Sequence, residues 1–146
     1  MSLQIRRGGP DDAGAIVRLI RELATAYGEE SPVTEAYTRE YLSSPGSYVL
    51  LADREGQSIG LLSYTIRPSL YHAGSTALIE ELVVQASERG RGVGSALLSG
   101  LLSELDHSGV VEVSVSTMPD NQRAKRFYQD HGLVDEAVFL EKHLDH

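Results

Sequence analysis

Two glutamates and a glycine-rich turn, within residues 77–96 (ALIEELVVQASERGRGVGSA), carry the clearest chemistry in this sequence. Glu80 and Glu81 interrupt an apolar, β-branched run, Leu78, Ile79, Leu82, Val83 and Val84, that reads as a strand. Consecutive strand residues point to opposite faces, so one of the two carboxylates is expected to face a cleft. After a polar turn at 85–88 come Arg89, Gly90, Arg91, Gly92, Val93, Gly94 and Ser95, opening a helix with Val93, Leu97, Leu98, Leu101, Leu102 and Leu105 at helical spacing. A strand, a glycine turn and a helix N-terminus make an anion site, because free backbone N–H groups and the helix dipole converge there. Glycines keep Cβ atoms out of the way, and the arginines add charge. The same order also serves as a plain strand–turn–helix corner.

A second constellation follows the strand at 110–116: Asn121, Ala124, Phe127 and Tyr128, closed by Gly132-Leu133. Ala124, Phe127 and Tyr128 share a helix face, a spacing that also suits core packing. The two stretches together resemble the GNAT superfamily of N-acetyltransferases. Arg89-x-x-Gly92-x-Gly94 after an Ile-Glu-x-Leu-x-Val strand resembles its acetyl-CoA pyrophosphate motif, and Asn-x-x-Ala-x-x-Phe-Tyr-x-x-x-Gly-Leu its second motif. Asn121 lies 27 positions after Gly94 with one strand between, as that family's topology requires.

The resemblance implies direct acetyl transfer from acetyl-CoA to a primary amine, on a small-molecule, cationic or protein acceptor. It implies that residues 89–95 hold the pyrophosphate and that Leu82, Val83 and Val84 lend backbone groups to the pantetheine arm and the acetyl carbonyl. Asn121 is expected on the cofactor arm and the Tyr128 hydroxyl at the thioester sulfur. An alkylammonium with pKa near 10 must lose a proton before it attacks, which calls for a carboxylate. Glu80 is favoured over Glu81, because family members with small cationic acceptors often carry an acid at the Ile-Glu position. Tyr27, Glu29, Glu30 and Tyr37, at the first helix–helix connection, and Tyr71 and His72, before the central strand, are candidate acceptor contacts. Dimers are frequent in the family, so a homodimer is open. The alternative is a catalytically silent acetyl-CoA-binding module of the same fold. A dinucleotide-binding reading of Gly90-x-Gly92-x-x-Ser95 fails, because the next strand ends in Ser116-Thr117 rather than an acid.

The rest of the chain must position these residues. Its 146 residues predict a single domain, residues 1–146, of the α/β (α+β) class: a mixed, mainly antiparallel sheet with helices on both faces. Strands are expected at 3–7, 48–53, 58–67 (ended by Pro68), in the central stretch and at 110–116, with a last strand or strand pair in 133–144. In the strand at 110–116, Val111, Val113 and Val115 are expected on one face. Helices are expected from Pro10 to Gly28, from Ser31-Pro32 to Pro45, after Gly94, and from Asn121 to Gly132. A net charge of −8 without a basic block argues against nucleic acid. No apolar run approaches the roughly 18 residues of a membrane span. With no cysteine and no apolar N-terminal segment after Met1, the expected site of action is cytoplasmic. The histidines lack metal-ligand spacing, His143 and His146 read as tail residues, and no metal is expected.

Overall fold

Five strands lie in chain order in one sheet: Leu3–Arg7 (β1), Ser47–Arg54 (β2), Gln57–Ser69 (β3), Gly74–Val84 (β4) and Val110–Val115 (β5). The computed structural model describes residues 2–144; Met1 and His146 lie outside them. Neighbours are antiparallel from β1 to β4, and β5 runs parallel to β4. The helices are Ala13–Ala26 (α1), Glu35–Ser43 (α2), Val93–Leu105 (α3) and Gln122–Asp130 (α4). This is the expected mixed, mainly antiparallel sheet.

Strand alternation divides the core between two faces. Leu50, Ala52, Leu62, Tyr64, Ala77 and Ile79 pack with Leu97, Leu98 and Leu101 of α3 and with Tyr128 of α4. Val49, Leu51, Leu61 and Val83 pack on the other face with Ile16 and Leu19 of α1, joined by Tyr41 and Leu42 of α2. At the bottom of the first layer, a Cβ on Gly60 would stand 2.9 Å from Val93 Cγ1. The bare backbone of β3 therefore lets the first turn of α3 lie directly on the sheet.

Several boundaries differ from expectation, each for a local reason. Helix α2 begins at Glu35, because the Thr34 hydroxyl accepts the Tyr37 N–H (3.0 Å) and caps it there. Pro68 does not end β3; it pairs with Ser75 where β2, which reaches only to Thr65, no longer flanks the strand, so no partner needs its missing N–H. The central strand starts at Gly74, three residues before the apolar run. In β5, a register shift leaves Val111 exposed while Val113 and Val115 face α3. No strand follows β5 among the described residues, and 134–144 is an exposed arm.

Candidate functional site

The site begins where β4 loses its partner. Parallel pairing with β5 stops at Ile79–Val115, so beyond this point β4 has a neighbour on one side only. At the same place Ser63 pairs with Glu81 and Tyr64 with Ile79, which leaves Glu80 as an extra, bulged residue. A bulge breaks the alternation on which the opposite-face expectation for Glu80 and Glu81 rested. Both carboxylates lie on the α1 and α2 side: Glu81 bonds the Ser63 hydroxyl, and Glu80 approaches the Thr65 hydroxyl at 3.4 Å. Ser63 and Thr65 are alternate residues of one strand and share that face.

The two acids are nonetheless unequal. Glu80 is exposed, whereas Glu81 is half-buried and lines a cavity. Glu81, not the Glu80 that the sequence favours, is thus the acid that lines a cavity. Burial pushes the Glu81 carboxyl above the ordinary carboxylate range; Ser63 opposes this in part, and the nearby Glu80 charge adds to it. Ser63 also accepts the Glu81 N–H at 3.0 Å, which fixes this carboxylate's backbone and head together. Nearby, Tyr41 Oη is buried with no partner in hydrogen-bonding geometry among the described residues. Burial, then Glu81, then Glu80 push this phenol up to about 12, and the Ser63 hydroxyl is close enough to pull the other way slightly.

A cleft of about 620 Å³ opens at the end of β4, in the size range of small-molecule sites. Val84, Arg89, Gly90, Gly92, Val93, Gly94 and Ser95 form its floor, and Asn121 and Tyr27 stand among its walls. Gly92 caps α3 in the left-handed region (φ 81°), and Gly90 is left-handed too (φ 76°). Nothing lies within 4 Å of a Cβ at either position, so the turn presents bare backbone to open space. That is the cradle a pyrophosphate requires, and these residues fit one. Arg89 Nε donates to the Val84 carbonyl (3.2 Å), which leaves its terminal nitrogens for an anion. Glu88 also lines the cleft, but Arg54 (3.1 Å) and Arg91 (3.4 Å) pair with it. Arg91, expected beside the phosphate, is thus engaged with Glu88 and outside the cleft lining. Leu82 and Val83 contribute no lining side chain, since Leu82 packs toward α3 and Val83 is buried against α1. The Gln85 N–H donates to Ile59 (2.8 Å), so alternation turns the peptide groups of Leu82 and Val84 away from β3, toward the open side.

Helix α4 supplies the far wall. Asn121 Oδ1 accepts the Ala124 N–H (3.1 Å) and caps the helix, leaving both amide N–H donors for a ligand. Tyr128 is only 9% exposed, its ring edge-on to Phe127 at 5.1 Å. Among the described residues its hydroxyl has no protein partner, yet it is not a sealed buried group, so its tip reaches solvent. Burial, and secondarily Tyr27, push its phenol up to about 12. The packing and chemical readings of Tyr128 are therefore compatible: the ring packs and the hydroxyl is free. Arg123 and Phe127 also line the cleft. Phe127 was legible as an aromatic on the right helix face; nothing in the sequence singled out Arg123.

A second cavity, about 270 Å³, adjoins the first, and Leu23 and Tyr27 line both. Glu29, Glu30 and Glu81 line it, and none of its lining residues is basic. The expected Tyr27, Glu29 and Glu30 are brought together here. Tyr37 is not; it is exposed on α2, one turn from Tyr41. Tyr71 and His72 are not brought to it either: they sit at the β3–β4 hairpin tip, at the opposite end of β4 from both cavities. His72 is 3.4 Å from Glu112 there. Among the described residues no group of three or more His, Cys, Asp and Glu could hold a metal ion, and no helix is long and apolar enough to cross a membrane.

Comparison with known proteins agrees with this geometry. The model of the acetyltransferase (GNAT) family matches residues 16–133. The chain is 29% identical over 129 residues to the aminoalkylphosphonate N-acetyltransferase of Salmonella typhimurium strain LT2, covering 88% of this chain and 83% of that protein. It is 26% identical over 144 residues to an L-2,4-diaminobutyric acid acetyltransferase of Streptomyces avermitilis, covering 94% and 77%. An aminoglycoside acetyltransferase from an uncultured soil metagenomic sample superposes with a TM-score of 0.85 at 21% identity, over 98% of this chain and 95% of that one. At that identity the likeness shows the fold.

Proposed function

This chain belongs to the acetyltransferase (GNAT) family and is an N-acetyltransferase; we propose that its two adjoining cavities hold acetyl-CoA and a cationic primary amine, respectively. The observation that carries this reading is their junction: Leu23 and Tyr27 border both, Glu81 lines the smaller cavity, and Tyr27 is near enough to the Tyr128 phenol to push it up. Bound acetyl-CoA supplies the acetyl group as an activated thioester with a thiolate leaving group.

The chain's own residues then divide the work. The amides at 92–95, with Arg89, neutralise the pyrophosphate, and Asn121 donates to the cofactor arm. Leu82 and Val84, on the unpaired side of β4, offer peptide groups to the arm and an N–H to polarise the acetyl carbonyl. Glu29 and Glu30 draw the ammonium in, and Glu81 accepts its proton. A raised Glu81 is a stronger base than an ordinary carboxylate, and Ser63 keeps it aimed. Tyr128 donates a hydrogen bond to the sulfur as charge develops. Full proton transfer from a phenol at about 12 to a thiolate near 8.5 is uphill by several kcal/mol, so Tyr128 stabilises the anion without ionising. The acceptor is a small amine bearing little negative charge, because no basic residue lines its cavity to pair with an acid group. We place the reaction in the cytoplasm, in keeping with a cysteine-free chain.

Release of CoA across a panel of amines tests this. A thiol reagent reads it without background, because the protein has no cysteine. Turnover with diamines above that with amino acids or aminophosphonates is the expected order. Acetyl-CoA binding without CoA release on any amine would return the chain to a silent binding module.

A further inference from the structure

The sheet face that carries Glu81 holds one polar group that the proposed reaction leaves unused. Tyr41 Oη is buried without a partner in hydrogen-bonding geometry among the described residues. A buried hydroxyl in that condition carries a desolvation cost that a fold rarely leaves standing. Helix α2 places the Tyr41 ring against the cluster that includes Val49, Leu61 and Val83. These residues surround Ser63. Val49 is its pairing partner on β2, Glu81 its partner on β4, and Leu61 stands two residues before it on the same face of β3. Ser63 is only 3% exposed there, out of reach of bulk water.

A serine hydroxyl has one proton to give and two lone pairs to fill. The Ser63 proton goes to Glu81 Oε1. One lone pair takes the Glu81 N–H at 3.0 Å. The second has no donor among the described residues. Tyr41 is the opposite case, a donor with nothing to give to, and Ser63 lies near enough to act on its phenol. A buried group short of a donor and a buried group short of an acceptor thus stand side by side. The titratable groups about them are Glu80 on β4, Tyr37 on α2, and Tyr27, Glu29 and Glu30 at the end of α1 and after it. None of these is a cation, so hydrogen bonds rather than an ion pair hold the Glu81 anion.

We propose that Tyr41 is a positioning residue: a small rotation of its phenol lets it donate to Ser63, which fixes the Ser63 proton on the Glu81 carboxylate and steadies that anion. Its catalytic consequence rests on the reading of Glu81 as the base. A donor that itself receives a hydrogen bond is polarised, which strengthens the bond it makes by roughly 10–30%. Without Tyr41 the burial of Glu81 is less opposed, and the carboxyl holds its proton to higher pH.

Tyr41→Phe keeps the packed ring and removes the O–H alone. Carboxyl carbon NMR shifts of Glu81, followed against pH in the protein without substrates, should put its pKa roughly 0.3–0.7 unit higher in this variant than in wild type. The acidic limb of kcat/KM for a diamine should move with it, a loss of about two- to fivefold below the limb and none above it. Ser63→Ala should move the limb by about one unit or more, and adding Tyr41→Phe to it should move the limb no further, because Tyr41 acts only through that hydroxyl. An unmoved Glu81 titration in Tyr41→Phe, a loss equal at every pH, or a Tyr41→Phe shift that persists without Ser63 would each overturn the proposal. Glu81→Gln separates this from the reading beneath it. If Glu81→Gln removes the limb while Tyr41→Phe leaves it in place, Tyr41 has no such role and Glu81 remains the base. If the limb survives Glu81→Gln, the base lies elsewhere and the role of Tyr41 falls with it. Should Ser63→Ala not fold, the Glu81 titration in Tyr41→Phe decides alone.

Discussion

Of the residues given roles in the proposed reaction, Glu81 and Tyr128 have the most separable tasks. Glu81→Gln should lower kcat/KM for the amine about 10²-fold and remove the acidic limb of its pH profile. The sign follows from the base: kcat/KM rises as pH climbs through the Glu81 pKa, and burial sets that rise above the ordinary carboxylate range. Glu80→Gln, at an exposed carboxylate, should change little; the reverse ranking would return the base to the bulged residue. Tyr128→Phe keeps the packed ring and deletes the free hydroxyl. We expect kcat to fall about 10- to 10³-fold with acetyl-CoA affinity within about threefold, since in the proposed role the hydroxyl acts only as sulfur gains charge. A fully active Phe variant would leave Tyr128 as packing alone. The sequence offered both glutamates and the tyrosine, but not the ranking of the acids. That ranking depends on the Ser63–Glu81 pairing across two strands, which no local pattern encodes.

At the scale of elements, the loop-to-helix unit 85–105 was readable because everything that shapes it is local: three glycines, a leucine stripe and the strand before them. Gly94 lies in the helical first turn with no left-handed φ, and a Cβ there would meet Phe127 at an ordinary 3.6 Å. Gly94→Val should therefore fold, yet set methyl groups into the cleft and raise the acetyl-CoA Kd at least about tenfold, or about 1.4 kcal/mol. Calorimetry on the folded variant checks this, and unchanged affinity would put the pyrophosphate elsewhere. Gly60 acts on the same unit from below. Val93 is β-branched and fully packed, so it cannot rotate away from a new methyl group 2.9 Å distant, and α3 must lift. Gly60→Ala should lower stability by about 1–3 kcal/mol in urea unfolding. It should also weaken acetyl-CoA binding, because the helix N-terminus moves with the helix. Nothing around Gly60 in the sequence announces this contact; it is a meeting of β3 with α3. The last strand or strand pair expected in 133–144 does not form among the described residues, where the stretch makes no backbone hydrogen bond beyond Leu133.

Over the whole molecule, charge should govern how the acceptor arrives. The chain carries −8 net, and the smaller cavity concentrates that sign in Glu29, Glu30 and Glu81 without a lining cation. A cationic amine is drawn toward such a mouth from a distance set by screening. Raising ionic strength from about 0.01 M to about 1 M contracts that distance from about 30 Å to about 3 Å. Steering of this kind is worth at least about tenfold in association rate, so kcat/KM for a diamine should fall by about that factor across the range. A monoamine should fall less, and an amine bearing a phosphonate should hold steady or rise. The value of kcat should not move, because the roles proposed for Glu81 and Tyr128 are exercised at contact distance, where salt does not intervene. Acetyl-CoA must be saturating at every salt concentration, since a pyrophosphate held as proposed at Arg89 and the α3 N-terminus would add a salt effect of its own. If diamine and aminophosphonate respond alike, the carboxylates at the mouth do not select the acceptor, and the assignment of this cavity to a cationic amine falls while the acetyl-CoA cleft stands.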